Sequence, residues 1–151
     1  MNYKVQKFRI SYVKERDTLN KAIEEKRVIS SRYDVTEFIK NYLSDLPIEK
    51  VCVIALGNKN DIIGFIQFQG TVNQSAVYPR EVFSFLFSCG AASFILSHNH
   101  PGGSLNASEA DWLVTEKLYQ SGKNLDIPLL DHVILADEKT VSLRESARWP
   151  G

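Results

Sequence analysis

A continuous apolar run at residues 92–97, ASFILS, is the feature that most constrains the fold of this chain. A strand with apolar side chains on both of its faces is covered on both sides, so this run predicts a central strand of a fully covered sheet. The segment HNHPGGSLN follows it directly, and its proline and glycines predict a loop at the end of that strand.

Other patterns supply the elements around this strand. Apolar runs predict strands at 50–56, 62–70, 129–136 and 140–145, with the first two joined as an antiparallel hairpin. Helical patterns predict a helix that begins at Asp34 in a capping box with Glu37 and ends before Pro47, one at 79–90 and one at 107–121 with Gly122 as its C-cap. A strand at 4–13 and a helix or arm at 17–27 precede them. The alternation predicts an α/β fold with a mixed central sheet.

Composition narrows the class of protein. The chain has 151 residues, which suits one domain, and its 18 basic and 18 acidic residues give a net charge of zero, which argues against tight non-specific DNA binding. We expect a cytoplasmic protein with no membrane segment, because no stretch approaches the ~18 apolar residues that a transmembrane helix needs. Cys52 and Cys89 lie in apolar runs, so we interpret both as buried, reduced thiols rather than a disulfide.

Two of the three histidines are one residue apart, at His98 and His100, where the buried strand gives way to the loop. Side chains at i and i+2 of an extended chain project to the same side, so both imidazoles can reach one metal ion. Asp111 follows one turn into the next predicted helix, with its carboxylate directed back at the loop. These three side chains form the set of imidazole and carboxylate ligands that catalytic Zn²⁺ sites use.

The segment SHNHPGGSLNASEAD resembles the metal motif of JAMM (MPN+, or JAB) proteins in the variant of the RadC family. Residues 78–81 (YPRE), 129–135 (LLDHVIL) and 142–145 (SLRE) resemble further RadC segments in the same order, with Tyr78 where that family has His. The similarity covers roughly residues 34–145. It divides the chain into a RadC-like domain at 34–151 and an N-terminal extension of unknown role at 1–33.

The resemblance implies a cytidine-deaminase-like α/β/α sandwich and a zinc-dependent peptidase or isopeptidase with a zinc-activated water. Bacterial RadC proteins usually carry an N-terminal helix-hairpin-helix region that contacts DNA. This chain shows no such glycine-rich hairpin, so we expect a short, stand-alone form that binds DNA weakly on its own.

The resemblance also implies the catalytic groups. Glu49, just before the strand at 50–56, matches the general acid/base position, with Val51 where the family usually has Phe. The alternative is Glu81, whose place in the first turn of a helix is also explained by the helix dipole. Ser108 corresponds to the residue that donates a hydrogen bond to the oxyanion, and it is equally suited to be a helix N-cap.

Several neighbouring residues have two interpretations. We expect His132 to support the site rather than to bind the metal, and Asn99 to point away from it. Trp112 either walls the cleft or lies in the core. Gly102 and Gly103 either form a mobile rim that admits a peptide or only permit a tight turn.

Three functions from different classes fit these features. A zinc peptidase or isopeptidase acting on a peptide or protein substrate accounts for the whole set of residues. The alternatives are a DNA-repair-associated accessory protein, as the RadC resemblance suggests, and a binding module with a structural zinc. The sequence indicates neither the substrate nor the oligomeric state.

Overall fold

A computed structural model of the chain describes Lys21, Glu25, residues 27–69 and residues 77–151. The strand predicted at 4–13 and most of the helix predicted at 17–27 lie outside the described residues. No helix in the described ranges is long and apolar enough to cross a membrane. The described elements are α1 (Arg32–Leu43), β1 (Lys50–Leu56), β2 (Ile62–Gln69), α2 (Pro79–Cys89), β3 (Ser93–Asn99), α3 (Glu109–Asn124), β4 (Leu129–Ala136), β5 (Lys139–Ser142) and a 3-10 turn (Leu143–Glu145).

The five strands form one sheet in the order β2-β1-β3-β4-β5. Only β3 and β4 are parallel, and the other neighbours are antiparallel, including the predicted hairpin of β1 and β2. Every residue of β3 is buried. This confirms the prediction, made from the apolar run at 92–97, of a central strand covered on both faces.

Helices cover the two faces of the sheet. The buried face of α1, predicted from its helical period, packs against one side of the sheet through Val35, Phe38, Ile39, Tyr42 and Leu43. Helices α2 and α3 cover the opposite side, where their apolar residues pack against Val51, Val53, Phe94 and Leu96. The result confirms the expected α/β/α sandwich with a mixed sheet.

The first helix begins three residues earlier than predicted. Its N-cap is Ser31, and Asp34 is the third residue of the helix, where its carboxylate accepts the backbone N–H of Ser31 at 2.9 Å. The hydrogen bonds to Ser30 and Ser31 hold the pKa of Asp34 below its usual value even though burial acts in the opposite direction. The prediction was wrong because D-V-T-E and S-R-Y-D both fit the capping-box rule, and in the structure Asp34 accepts the backbone N–H groups of Ser30 and Ser31, so the second box forms.

Gly122 is not the C-cap of α3, because the helix continues to Asn124 with Leu125 as its cap. A Cβ at Gly122 would lie 2.5 Å from the carbonyl oxygen of Ile127. The glycine therefore permits the returning chain to cross the helix closely, and its signal was misread as a helix end.

Two further predictions need smaller corrections. Strand β3 extends through Asn99, so the metal-ligand candidate His98 lies on the strand itself and not in the following loop. The strand predicted at 140–145 ends at Ser142, where the chain turns into the 3-10 turn.

Candidate metal centre

Four side chains converge where β3 ends. Glu49, His98, His100 and Asp111 each place one ligand atom within 4.8 Å of the others, an arrangement that can hold a metal ion. Three elements bring them together: Glu49 directly precedes β1, His98 and His100 lie at the end of β3, and Asp111 lies in the first turn of α3.

The distances separate Glu49 from the other three groups. His98 Nε2 and His100 Nε2 are 2.8 Å apart, and the carboxylate oxygens of Asp111 lie 3.2 and 3.3 Å from them. Ligand atoms around a tetrahedral ion with bonds of ~2.0–2.2 Å are roughly 3.3–3.5 Å apart, which is close to these values. Glu49 Oε1 lies farther out, at 3.8 Å from His98 Nε2.

A chain of buried hydrogen bonds sets the tautomer of His98. Thr115 donates its hydroxyl proton to the carbonyl of Asp111 at 2.6 Å, so its oxygen accepts a proton from His132 Nδ1, also at 2.6 Å. Burial lowers the pKa of His132 well below its usual value, so the ring is neutral. Because its Nδ1 carries the single proton, its Nε2 can only accept a hydrogen bond. His98 Nδ1 must therefore donate to it, at 2.7 Å.

The same reasoning applies to His100. Its Nδ1 lies 2.7 Å from the carbonyl oxygen of Ser104, which can only accept, so Nδ1 carries a proton. In their neutral forms, His98 and His100 thus direct two Nε2 lone pairs at one point from 2.8 Å apart. Either a proton on one of the rings, donated to Asp111, or a metal ion shared by both rings relieves the repulsion between these lone pairs, so the arrangement supports a metal-binding function for the donor set.

Asp111 adds negative charge to this point. Burial alone raises the pKa of its carboxyl, but hydrogen bonds from His100 and His98 outweigh that effect and hold it well below the usual range. The Asp111 carboxylate, which accepts this hydrogen bond from His100, in turn raises the pKa of His100. Two imidazoles and one carboxylate form the set that the sequence predicted.

Ser108 is the N-cap of α3. Its hydroxyl oxygen accepts the backbone N–H of Asp111 at 3.1 Å, and Asp111 Oδ2 accepts the backbone N–H of Ser108 at 2.8 Å. The capping interpretation is therefore confirmed. The capping bond uses an oxygen lone pair of Ser108, so the proposed role as an oxyanion donor stays compatible with it.

The remaining candidates lie around this cluster. Glu81 lies outside it, in the first turn of α2, where its carboxylate is 3.7 Å from Arg80 Nε. His132 is fully buried behind His98, as expected for a supporting group. Trp112 is partly buried beneath the guanidinium of Arg148, 5.0 Å from the ring centre. Cys52 and Cys89 form no disulfide, and Cys52 is buried as expected whereas Cys89 is only partly buried.

Sequence reasoning missed the contacts that two residues, Thr115 and Asn99, make beside this cluster. Thr115 gave no signal beyond its spacing of four from Asp111, and its contact with His132 exists only because α3 packs on β4. Asn99 does point away from the cluster, as predicted. Its side-chain amide nevertheless binds the backbone on both sides of Glu49.

Comparison with known proteins identifies the family and relatives of this chain. A sequence model described as the RadC-like JAB domain matches residues 29–148. A UPF0758 protein of Saccharophagus degradans is 38% identical over 125 residues, which cover 82% of this chain and 56% of the relative. A UPF0758 protein of Bacillus licheniformis is 41% identical over the same shares. The chain thus spans little more than half the length of these curated relatives.

Proposed function

The chain belongs to the RadC-like JAB domain family, and from that premise we propose that it is a zinc-dependent hydrolase of peptide or isopeptide bonds. The observation that carries the proposal is the convergence of His98 Nε2, His100 Nε2 and the Asp111 carboxylate on one point. We assign His98, His100 and Asp111 as the metal ligands.

Zinc fits this donor set better than the common alternatives. Mg²⁺ and Ca²⁺ prefer oxygen ligands, whereas Zn²⁺ accepts two imidazoles and a carboxylate and keeps a fourth position open in catalytic sites. Bound there, Zn²⁺ supplies Lewis-acid polarisation of a carbonyl and lowers the pKa of water to ~7. The cluster has an opening for substrate, because His100 and Glu49 are partly exposed while His98 and Asp111 are buried.

The residues of the chain supply the proton transfers. We assign Glu49 as the general acid/base, which takes a proton from the attacking water and passes it to the leaving amine as the C–N bond breaks. Its greater distance from His98, compared with Asp111, supports a role outside the ligand set. Ser108 donates a hydrogen bond from its hydroxyl to the carbonyl oxygen as negative charge develops there.

The substrate we propose is a peptide or protein, and the location is the cytoplasm. Cys52 and Cys89 form no disulfide, as is usual for proteins of a reducing compartment. An extended peptide that passes the rim at residues 101–106 would present its carbonyl between Glu49 and Ser108.

Metal analysis combined with a peptidase assay tests the proposal. Purified protein should contain about one zinc per chain, chelators should remove it, and Asp111→Ala should abolish binding. Glu49→Gln should keep the zinc and lower kcat about 10²- to 10⁴-fold on isopeptide-linked or fluorogenic peptides. Glu81→Gln is the matched control and should keep both zinc and activity.

The contrary outcomes are distinct. Loss of zinc in Glu49→Gln would make Glu49 a fourth ligand and the site a closed structural one. An inactive, zinc-loaded Glu81→Gln beside an active Glu49→Gln would move the acid/base role to Glu81. A zinc-loaded wild-type protein that cleaves none of these substrates would contradict the proposed hydrolase.

A further inference from the structure

Asn99 ends strand β3 between the two candidate histidine ligands, and its side chain contacts the backbone beside Glu49. Its Oδ1 accepts the backbone N–H of Lys50 at 2.7 Å, and its Nδ2 donates to the carbonyl oxygen of Ile48 at 2.9 Å. Asn99 is 4% exposed, so both bonds are shielded from water. The two peptide groups that it binds are those that flank Glu49.

The two hydrogen bonds of Asn99 continue the contact between β1 and β3 beyond the last paired residues of the two strands. The antiparallel pairing of β1 with β3 runs from Leu56 opposite Ser93 to Val51 opposite His98, and no residue beyond Val51 is paired with β3. In an extended chain, the carbonyl of residue i−1 and the N–H of residue i+1 point to the same side. The amide of Asn99 satisfies both groups, as a peptide of a neighbouring strand would.

The direction of the Glu49 side chain follows from this arrangement. Alternate residues of an extended chain face the same side of the sheet, so Glu49 shares a face with Val51, which lies opposite His98. Holding residues 48–50 extended therefore directs the Glu49 carboxylate at His98 Nε2, 3.8 Å away.

The loop that carries Glu49 has little other support. It runs from the C-cap of α1 at Ser44 to the start of β1 and includes Asp45 in a left-handed conformation with φ of 56°. Within the described ranges, no other backbone hydrogen bond reaches Ile48 or Glu49. A group that is not a metal ligand gains no position from the metal either, so the protein must hold it in place.

We propose that Asn99 is a positioning residue that holds Glu49 over the metal centre by binding the peptide groups on both of its sides. The inference rests on the acid/base role proposed for Glu49. It also explains how one short segment serves two purposes: His98 and His100 reach the metal on one face of β3, while the residue between them orients the acid/base from the other face.

The test compares Asn99→Ala with Ser97→Ala. Ser97 is buried on the same face of β3, and its hydroxyl donates to the carbonyl of Val133, far from Glu49. In metal-free protein, Asn99→Ala should speed hydrogen exchange of the Lys50 amide, and Ser97→Ala should not. In zinc-loaded protein, Asn99→Ala should keep zinc affinity and KM but lower kcat about 10- to 100-fold, as expected for a displaced acid/base.

A double variant tests whether Asn99 acts through Glu49. Added to Glu49→Gln, Asn99→Ala should cost nothing further, because the group that it orients is already disabled. Asn99→Asp keeps the acceptor for Lys50 and loses the donor to Ile48, so it should retain the slow exchange of Lys50 and show an intermediate kcat. This variant also preserves the test if Asn99→Ala fails to fold.

Three results would overturn the inference. They are an unchanged exchange rate of the Lys50 amide in Asn99→Ala, a loss of zinc affinity in step with kcat, and additive losses in the double variant. The exchange measurement needs no catalytic activity. If the wild-type protein cleaves no peptide, the proposed function fails, but the exchange rate of the Lys50 amide still shows whether Asn99 holds the segment that carries Glu49.

Discussion

At the scale of single residues, the candidate metal ligands depend on groups outside the ligand set. The hydrogen bonds from Asp111 through Thr115 and His132 to His98 are all 2.6–2.7 Å long and buried. They select the His98 tautomer whose Nε2 is free to bind a cation. Reversing any one of these bonds would place a proton on the ligand atom.

Thr115→Val tests this selection. Without the Thr115 hydroxyl, the proton on His132 Nδ1 has no acceptor, so the tautomer of His132 with its proton on Nε2 is favoured. That Nε2–H would donate to His98 Nδ1, and the proton of His98 would then lie on its own Nε2, the candidate ligand atom. Zinc affinity should fall about 10- to 100-fold, measured by competition with a chromophoric chelator. Thr36→Val is the matched control, since Thr36 makes the same bond to a helix carbonyl four residues back, in α1. Equal affinities in both variants would contradict the selection.

The burial of His132 also leads us to expect that the free energy of unfolding depends on pH. Burial lowers its pKa in the folded chain, so below about pH 6.5 the unfolded chain binds a proton that the folded chain does not. The free energy of unfolding of metal-free protein should therefore decrease as the pH falls through that value. His100, whose pKa is raised, acts in the opposite direction.

Comparison with His132→Gln isolates this contribution. Between about pH 6 and pH 5, the wild-type free energy of unfolding should fall faster than that of the variant by up to ~1.4 kcal/mol per pH unit. Urea titrations at each pH measure both slopes. Parallel slopes would show that His132 accepts a proton in the folded protein.

At the scale of elements, the two glycines in the loop from β3 to α3 differ in whether the turn requires them or whether they can form a mobile rim. Gly103 has φ of 82°, and a Cβ there would lie 2.5 Å from Asp137 Oδ2, whereas a Cβ at Gly102 would meet nothing within 4 Å. The turn therefore requires Gly103 and not Gly102. The mobile-rim interpretation stays a prediction that concerns Gly102 alone.

The two alanine variants should differ accordingly. Gly103→Ala should lower the melting temperature and zinc content, because strain of ~1–3 kcal/mol falls on the loop that holds His100. Gly102→Ala should leave both unchanged and lower peptide turnover only if the rim must move. Calorimetry, metal analysis and the peptidase assay together check this pair. Equal melting temperatures would contradict the turn requirement at Gly103.

At the scale of the whole molecule, the balance of charge predicts weak binding to nucleic acid. With 18 basic and 18 acidic residues, the chain has no net charge with which to displace counterions from DNA. We expect dissociation constants on the order of 10⁻⁶ M or weaker for duplex and branched DNA at physiological salt. Fluorescence anisotropy across a salt series measures this. Tight binding with a steep salt dependence would favour the DNA-repair alternative.

Local sequence patterns by themselves determined much of the architecture. Strands β1 and β4 have the predicted limits, and the apolar face of α1 is the predicted one, because alternation and helical period express which face must leave water. The cluster of His98, His100 and Asp111 was also predicted, since its members lie close in sequence. The position of Glu49 rested on family resemblance alone, because it lies 49 residues before His98.

Tertiary structure decided the features that depend on contacts distant in sequence. The capping box of α1 was misplaced because two overlapping motifs satisfy the same local rule, and the hydrogen bonds of Asp34 show that the earlier one forms. Gly122 was taken for a helix end because a glycine that admits a crossing backbone has no distinct local pattern. The contacts of Asn99 with Ile48 and Lys50, and of Thr115 with His132, arise only when β1, β3, β4 and α3 pack together. Sequence patterns thus determined which groups form the site, and packing decided how each group is oriented.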